Sequence, residues 1–573
     1  MENINTNIEF VKPRETIEIH LNDGRVLSGP RNTSIEKFLQ KLPEWDNPPI
    51  MAAILNGDLK ELTTSIDMDA RIQPISMEDV DGARIYRRSL IFLLEAAFED
   101  LYPDKVLSVD HSVSSGGFFC SIIDCDPFGL DDLNSLENKM RQLVQEDIPL
   151  IKNVVTLQEA ITLFKEKGHS DKVRLLKYRG KGHLVLYRLG IHKDYHHGYM
   201  VPSTGYLRWF GLARMGEGFV LRFPRRSSNN KLPAIPESSS LITTFQQYGK
   251  WLNRLGIDSV GSLNDAISEG RIREVILMSE ALHEQKIAEI ASEIVEGSKN
   301  RRVVLIAGPS SSGKTTFSKR LAVQLLAHGL EPFAMELDNY FIDREKTPLD
   351  ENGDYDFESL EALNIQLLNE NISSLISGEE VQLRKYNFIK GIGEEGEIVR
   401  LNNDQIIIIE GIHGLDPKLL SGLPSEQSFR VYASCLTQLN LDRHNRISTT
   451  DSRLLRRIVR DARERGYTAQ QTIQRWESVR RGEQKYIYPY QDNAREMFNS
   501  ALVYELSALK PYVEPLIRQV PPGTREYIEA KRLLAFLDWF LPTDPELIPD
   551  NSIIREFIGG SILKDFKPWK TVD

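Results

Sequence analysis

The chain has 573 residues, 41% hydrophobic and 27% charged, which is the size of roughly three to four domains and excludes a disordered, collagen-like or repeat-only protein. Lys+Arg total 71 against 82 Asp+Glu, and the net charge of −11 argues against a general nucleic-acid binder. Three cysteines (Cys120, Cys125, Cys435) exclude a disulfide framework or a four-thiolate zinc site, and with no apolar run of about 18 residues and no signal-peptide pattern, a cytoplasmic protein without membrane contact is expected.

Glu15–Ile75 reads as a small α/β unit. Thr16–Leu21 alternates as a strand, Asn22-Asp23-Gly24 signals a hairpin, Val26–Leu27 resumes the strand, and Thr33–Leu42 has helical spacing. A larger mixed segment follows, with a helix predicted over Ser89–Leu101 and strand-like alternation over Arg174–Leu189. Arg225–Ser240, rich in Ser, Asn and Pro, reads as a linker. Ile272–Val295 is helical in pattern, a new α/β unit starts at Arg301, and the tail after Pro511 is mainly helical, most clearly Lys531–Phe540.

The charge is uneven. Lys172–Lys231 holds 13 Lys/Arg against Asp194 and Glu217, a balance of +11, and Leu441–Lys485 holds 12 Lys/Arg against six acids, or +6. In the second island Arg453, Arg456, Arg457 and Arg460 share one helical stripe, with Arg463 and Arg465 just beyond. Phosphoryl transfer needs cations around the moving phosphoryl group, whereas a plain surface helix needs none.

Gly308-Pro-Ser-Ser-Ser-Gly313-Lys314-Thr315 fits G-x-x-x-x-G-K-[ST] at every fixed position. A short β-branched run, Val303–Ala307, precedes it, and Thr316–Ala327 has helix composition. A strand, a glycine-rich turn and a helix N-terminus aim several backbone N–H groups at one anion. Gly308, Ser310, Ser311, Ser312, Gly313, Lys314, Thr315 and Thr316 are therefore the expected ATP contacts, with Lys314 on the β- and γ-phosphates and the Thr315 hydroxyl on Mg²⁺. Downstream, the apolar runs Pro332–Leu337 and Ile406–Ile409 end at Asp338 and Glu410. Carboxylates beyond the carboxyl ends of parallel strands can hold Mg²⁺ or take a proton from an acceptor hydroxyl; each could also merely cap a helix.

In order and spacing, GPSSSGKTT (308–316), LDNYF (337–341), DYDF (354–357), KYNF (385–388), IIIEGIHG (407–414) and DSRLLRRIVRDARERG (451–466) resemble the uridine kinase/phosphoribulokinase family over residues 301–509. The resemblance implies that Asp338 is the general base for a nucleoside 5′-hydroxyl and a neighbour of the metal, and that Glu410 is the second Mg²⁺ carboxylate. Asp356 would grip the ribose hydroxyls. Tyr355, Phe341, Tyr386, Phe388 and Ile412 would line the sugar and base site, and Arg457, Arg460 and Arg465 would be catalytic cations. Gly391, Tyr467 and Arg475 stand where the pyrimidine kinases carry the His, Arg and Gln that read the base. A base preference different from, or looser than, a uridine kinase's is therefore expected.

LNDGRVLSGPRNTSIEKFL and AAILNGDLKELTTSIDMDARIQPI resemble the TGS domain of threonyl-tRNA synthetase, and residues 82–231 resemble that enzyme's second additional (editing) domain. At the four positions where the synthetases place His or Cys, this chain has Arg88, Phe92, His196 and Met200, so an editing hydrolase or metal site at those positions is not expected.

The fold class is then α/β multidomain, a P-loop kinase with a parallel sheet preceded by a β-grasp domain and an α+β synthetase-editing-like domain. The expected division is a tail (1–14), a TGS-like domain (15–78), an editing-like domain (79–231), a linker and helical connector (232–299), a kinase domain (300–509) and a helical extension (510–573). The leading function is ATP/Mg-dependent phosphorylation of a ribonucleoside 5′-hydroxyl. The alternatives are a kinase of another hydroxyl acceptor, such as a phosphorylated sugar, and an RNA-binding regulator that uses the nucleotide domain as a switch. The +11 island, interleaved with Tyr178, Tyr187, Tyr195, Tyr199, Tyr206, Trp209 and Phe210, suits RNA or tRNA if its rings are free to stack, and a homo-oligomer is compatible with the chain.

Overall fold

The computed structural model describes Lys12 and residues 14–567 except 114–115, 124, 227–229, 235–247, 250, 253, 299, 350–352, 354, 388–389, 403 and 438. Most of the expected tail, part of the expected linker, and Phe388 lie outside the described residues. The chain divides into two compact units, one formed by residues 1–160, 181–235 and 521–528, the other by 161–180, 236–520 and 529–573.

In the first unit Thr16–Leu21 buries Ile17, Ile19 and Leu21 on one face, as strand alternation requires. It pairs antiparallel with Val26–Pro30 and parallel with Ala70–Ser76, in a five-stranded sheet completed by Ile50–Leu55 and Asp58–Lys60. The short helix Ile35–Leu39 inserts Ile35, Phe38 and Leu39 into the core shared with this sheet. The helix Val80–Leu101 starts nine residues before the predicted Ser89, because Ala83, Ile85 and Tyr86 already face the core although Gly82 and the arginines interrupt the apolar pattern. Its core is shared with the antiparallel sheet Gly211–Met215, Gly218–Arg222, Phe118–Ile123 and Val106–Ser112. A second antiparallel sheet joins Ile151–Thr156, His183–Leu189 and His192–Asp194. Only the last part of Arg174–Leu189 is strand: Ser170–Lys177, which belongs to the second unit, is helical, with Lys172, Leu175 and Leu176 buried at helix spacing.

The second unit is built on a parallel sheet in the order Glu331–Glu336, Gln405–Glu410, Val303–Ala307, Ser428–Ser434, Glu496–Asn499. Its middle strand is buried along its whole length, as a sheet covered on both faces demands. The helices Ile272–Glu296, Lys314–Ala327 and Thr449–Arg465 belong to this unit. An antiparallel hairpin, Val381–Asn387 with Ile392–Val399, stands apart from the sheet. The expected helix at Lys531–Phe540 runs from Arg525 to Leu537. No helix among the described residues is long and apolar enough to cross a membrane.

Candidate active site

Three strands of the parallel sheet end at one place. Val303–Ala307 opens into the glycine-rich loop, Gln405–Glu410 ends on Glu410, and Glu331–Glu336 leads into a 3₁₀ turn, Leu337–Tyr340, that carries Asp338. The loop needs glycine: a Cβ on Gly308 would fall 1.9 Å from the Ala433 carbonyl oxygen, and Gly313, with φ 79°, takes the left-handed conformation from which the helix Lys314–Ala327 departs.

Lys314 Nζ donates to the carbonyls of Gly308 (2.9 Å) and Pro309 (3.2 Å), and burial depresses its pKa. The Thr315 hydroxyl donates to Glu410 Oε1 at 2.9 Å, so the two expected Mg²⁺ ligands meet. Burial pushes Glu410 up to about 7, although Lys314 and the Thr315 hydroxyl pull it down. Asp338 is exposed to solvent, yet the surrounding protein raises its pKa, Glu336 adds to the rise, and Lys314 and Arg465 oppose it.

The loop's own polar atoms suit a triphosphate. Among the described residues the buried hydroxyls of Ser311 and Ser312 make no hydrogen bond. Anions already sit on two of its N–H groups: Glu483 accepts from Ser310 N at 2.9 Å, and Glu556 accepts from Thr316 N (3.2 Å) and from the Thr316 hydroxyl (2.9 Å). Carboxylates at those N–H groups occupy positions that phosphate oxygens can take. The residues fit ATP and, at Thr315 and Glu410, Mg²⁺.

The arginine stripe does not form the open cationic face that its spacing suggests. Arg453 and Arg456 are fully buried. Arg453 donates to the Ser310 carbonyl at 2.9 Å and pairs with Glu483; Arg456 donates to the Ser500 carbonyl at 2.8 Å and pairs with Glu505. These two brace the loop from behind. Arg457, Arg460 and Arg465 gather instead on Asp461, at 3.1, 3.6 and 3.2 Å, and Arg457 also donates to the Ser310 hydroxyl at 2.6 Å.

On the acceptor side Asp356 accepts from the Tyr486 hydroxyl (2.6 Å) and from Glu358 N (3.2 Å). Phe341 packs edge-on to Tyr386 at 5.7 Å, and Tyr386 is buried while Tyr355 is exposed. Ile412 is partly buried against the apolar cluster of Ala307, Leu415 and Tyr432. Tyr467 and Arg475 stack on each other, with the guanidinium 4.4 Å from the ring centre.

Sequence reading missed Glu483, Glu556, Glu358 and Tyr486. Glu358, pushed up to about 7 first by its surroundings and then by Glu483, had no local signal. Glu483 could have been suspected as one of the few acids among the arginines. Of the seven aromatics of the +11 island none is fully exposed, and Tyr178, Tyr199, Tyr206 and Trp209 are partly buried. Tyr187, Tyr195 and Phe210 are buried, and the Tyr178 and Tyr206 hydroxyls donate to Asp265 and Glu36.

Residues 303–503 match the model of the Phosphoribulokinase / Uridine kinase family. The N-terminal region matches threonine–tRNA ligases. That of Acidithiobacillus ferrooxidans is 32% identical over 170 residues, covering 30% of this chain and 26% of the ligase; that of Carboxydothermus hydrogenoformans is 30% identical over 207 residues, covering 35% and 32%. The chain thus spans roughly a quarter to a third of the length of these relatives. Among solved structures, a possible uridine kinase from Bacillus stearothermophilus aligns at 22% identity, 23% of this chain and 70% of that one, with a TM-score of 0.20. D-glycerate 3-kinase from Cryptococcus neoformans var. grubii aligns at 16% identity, 37% and 89%, with a TM-score of 0.26.

Proposed function

We propose, for a chain whose residues 303–503 form a Phosphoribulokinase / Uridine kinase family domain, that it transfers the γ-phosphoryl group of ATP to the 5′-hydroxyl of a ribonucleoside. The observation that carries the reading is the convergence of Lys314, the Thr315–Glu410 pair and Asp338 at the carboxyl ends of adjacent parallel strands. Lys314 and the loop N–H groups hold the β- and γ-phosphates. Thr315 and Glu410 would hold Mg²⁺, which when bound offsets charge on the phosphates. Asp338 accepts the proton of the attacking hydroxyl, and its raised pKa brings it nearer the range of an effective base. Arg457, Arg460 and Arg465, already collected on Asp461, stabilise charge on the transferring group.

Asp356 and the Phe341–Tyr386 pair are assigned to the sugar and base. A ribose diol at Asp356 displaces the Tyr486 hydroxyl, and the loss of either sugar hydroxyl leaves an acceptor unpaired, which favours ribose over deoxyribose. The Tyr467–Arg475 stack supports a base range other than strict uridine and cytidine, because both side chains are spent on each other.

ADP release measured with ATP and Mg²⁺ across the common ribo- and deoxyribonucleosides tests the reading. Turnover with ribonucleosides beyond uridine and cytidine is expected. Strict uridine/cytidine use refutes the base range. Turnover only with a phosphorylated sugar moves the assignment to that acceptor, and ATP binding with no turnover on any acceptor favours the nucleotide-switch reading.

A further inference from the structure

We propose that the first unit carries a divalent-cation site made of Glu95, His192 and Asp194. Glu95 lies on the helix Val80–Leu101; His192 and Asp194 are alternate residues of the strand His192–Asp194, so both project from one face of it. One ligand atom from each of the three lies within 4.8 Å of the others, and all three side chains are buried. Cation–ligand distances of about 2.0 to 2.2 Å place donor atoms about 3 to 4 Å apart, so small side-chain rotations close this set around an ion.

The surroundings hold the donors in place. Glu99, one helical turn after Glu95, is hydrogen-bonded to His192 Nδ1, which directs Nε2 toward the Glu95 carboxylate, 3.5 Å away. Among the described residues His192 Nε2 makes no hydrogen bond. A carboxylate on one imidazole nitrogen with the other left for an ion is the usual setting of a metal-bound histidine. His196 Nε2 is hydrogen-bonded to Glu95 Oε2 at 3.2 Å, the same oxygen that faces His192 Nε2, and so holds that carboxylate in place. The Phe92 ring packs against both imidazoles, at 5.1 Å from His192 and 5.5 Å from His196, so the site is shielded from water. Glu99 is half exposed and marks the way in from solvent.

The site is not one carried over from the synthetases. The positions that resemble their His and Cys residues are Arg88, Phe92, His196 and Met200, and none of Glu95, His192 or Asp194 is among them. Arg88 is spent on the Tyr199 carbonyl, and Phe92 fills the space between the two imidazoles. One imidazole nitrogen with two carboxylates suits Zn²⁺, Mn²⁺ or Fe²⁺ better than an ion that prefers sulfur. A cation there ties the last strand of the small antiparallel sheet to the long helix. The metal-free alternative is a charged His192 held between Glu95 and Glu99.

The test uses the full-length chain, stripped with a chelator and assayed without nucleotide. After equilibration with Zn²⁺ and desalting, metal analysis is expected to find a single retained equivalent, and Co²⁺ in its place is expected to show visible d–d absorption of a protein-bound ion. His192→Gln and Glu95→Gln should abolish retention, and Glu99→Gln should weaken it by about 10- to 100-fold. Glu410→Gln, in the other unit, should retain the equivalent. Absence of retained Zn²⁺ in the native chain, or full retention by His192→Gln, overturns the proposal. Where a variant does not fold, the Co²⁺ spectrum of the native chain decides, and a spectrum unchanged from Co²⁺ in buffer overturns it.

Discussion

The Glu556 carboxylate accepts hydrogen bonds from both the backbone N–H and the hydroxyl of Thr316, at the first turn of the helix that follows the phosphate loop. It arrives from the short C-terminal helix Arg555–Ile558, whose neighbouring carbonyls, those of Glu556 and Phe557, are held by Arg463. A fixed negative charge there competes with a bound triphosphate for the same donor groups. Glu556→Gln keeps an acceptor for Thr316 and removes the charge. ATP affinity, measured calorimetrically with Mg²⁺, is expected to rise about tenfold, equivalent to about 1.4 kcal/mol. Equal or weaker binding would dismiss the competition.

Unlike Glu410, Asp338 is exposed to solvent, and the carboxylate that accepts from the Thr315 hydroxyl is Glu410. Asp338→Asn keeps the shape and removes the base. Turnover in the ADP-release assay should fall about 10²- to 10⁴-fold, the range that general-base catalysis contributes, while ATP affinity stays within a factor of about two. A variant that turns over at the native rate would remove Asp338 from that role.

The Arg453–Glu483 pair is buried and also closes on the loop, through the Ser310 carbonyl and N–H. Removing one partner leaves an uncompensated buried charge. Glu483→Gln should therefore destabilise the second unit by about 3 to 5 kcal/mol, read as a fall in the melting transition that ATP raises. Arg453→Met/Glu483→Leu removes both charges and should recover much of that midpoint. A Glu483→Gln protein that melts as the native chain does would show that the pair carries no such weight.

What the sequence made legible was local. The run Val303–Ala307, the glycine loop and the acids ending two apolar runs each sit within a few residues of the pattern that marks them, and the structure brings Thr315 to Glu410 from them. Helical spacing also placed Arg453, Arg456, Arg457 and Arg460 on one stripe. Spacing along one helix cannot reveal a partner on another, and Glu483 and Glu505, which bury the first two, lie 30 and 49 residues further on. Glu556 reaches Thr316 across 240 residues with no motif to announce it. The same holds for the aromatics of the +11 island: nothing local announces that the hydroxyls of Tyr187 and Tyr206 turn to Glu61 and Glu36, 126 and 170 residues away. Ser170–Lys177 shows the remaining difficulty, since a short mixed run fits strand and helix alike until packing chooses.

His283 sets an acid limb on the stability of the second unit. It lies buried on the helix Ile272–Glu296, with Nε2 3.3 Å from the Ala501 carbonyl and its ring 5.2 Å from that of Phe498. Burial first, and then the nearby Arg320 and Arg456 charges, push its pKa down to about 3, against the weaker upward pull of the Ala501 and Asn499 backbone. In the unfolded chain the same imidazole titrates near 6.5. Between these values the unfolded state binds one more proton than the folded state, so this contribution is complete above about pH 6.5 and is lost as pH falls toward 3. At pH 5 the loss is about 2 kcal/mol, from about 1.4 kcal/mol per pH unit. His283→Gln keeps a donor for Ala501 and cannot take up the proton. Its melting midpoint should therefore fall less than the native chain's between pH 7 and pH 5. Part of the slope should survive in the variant, because burial also holds His413 down, at about 4. Identical slopes in the two proteins would exclude His283 as their source.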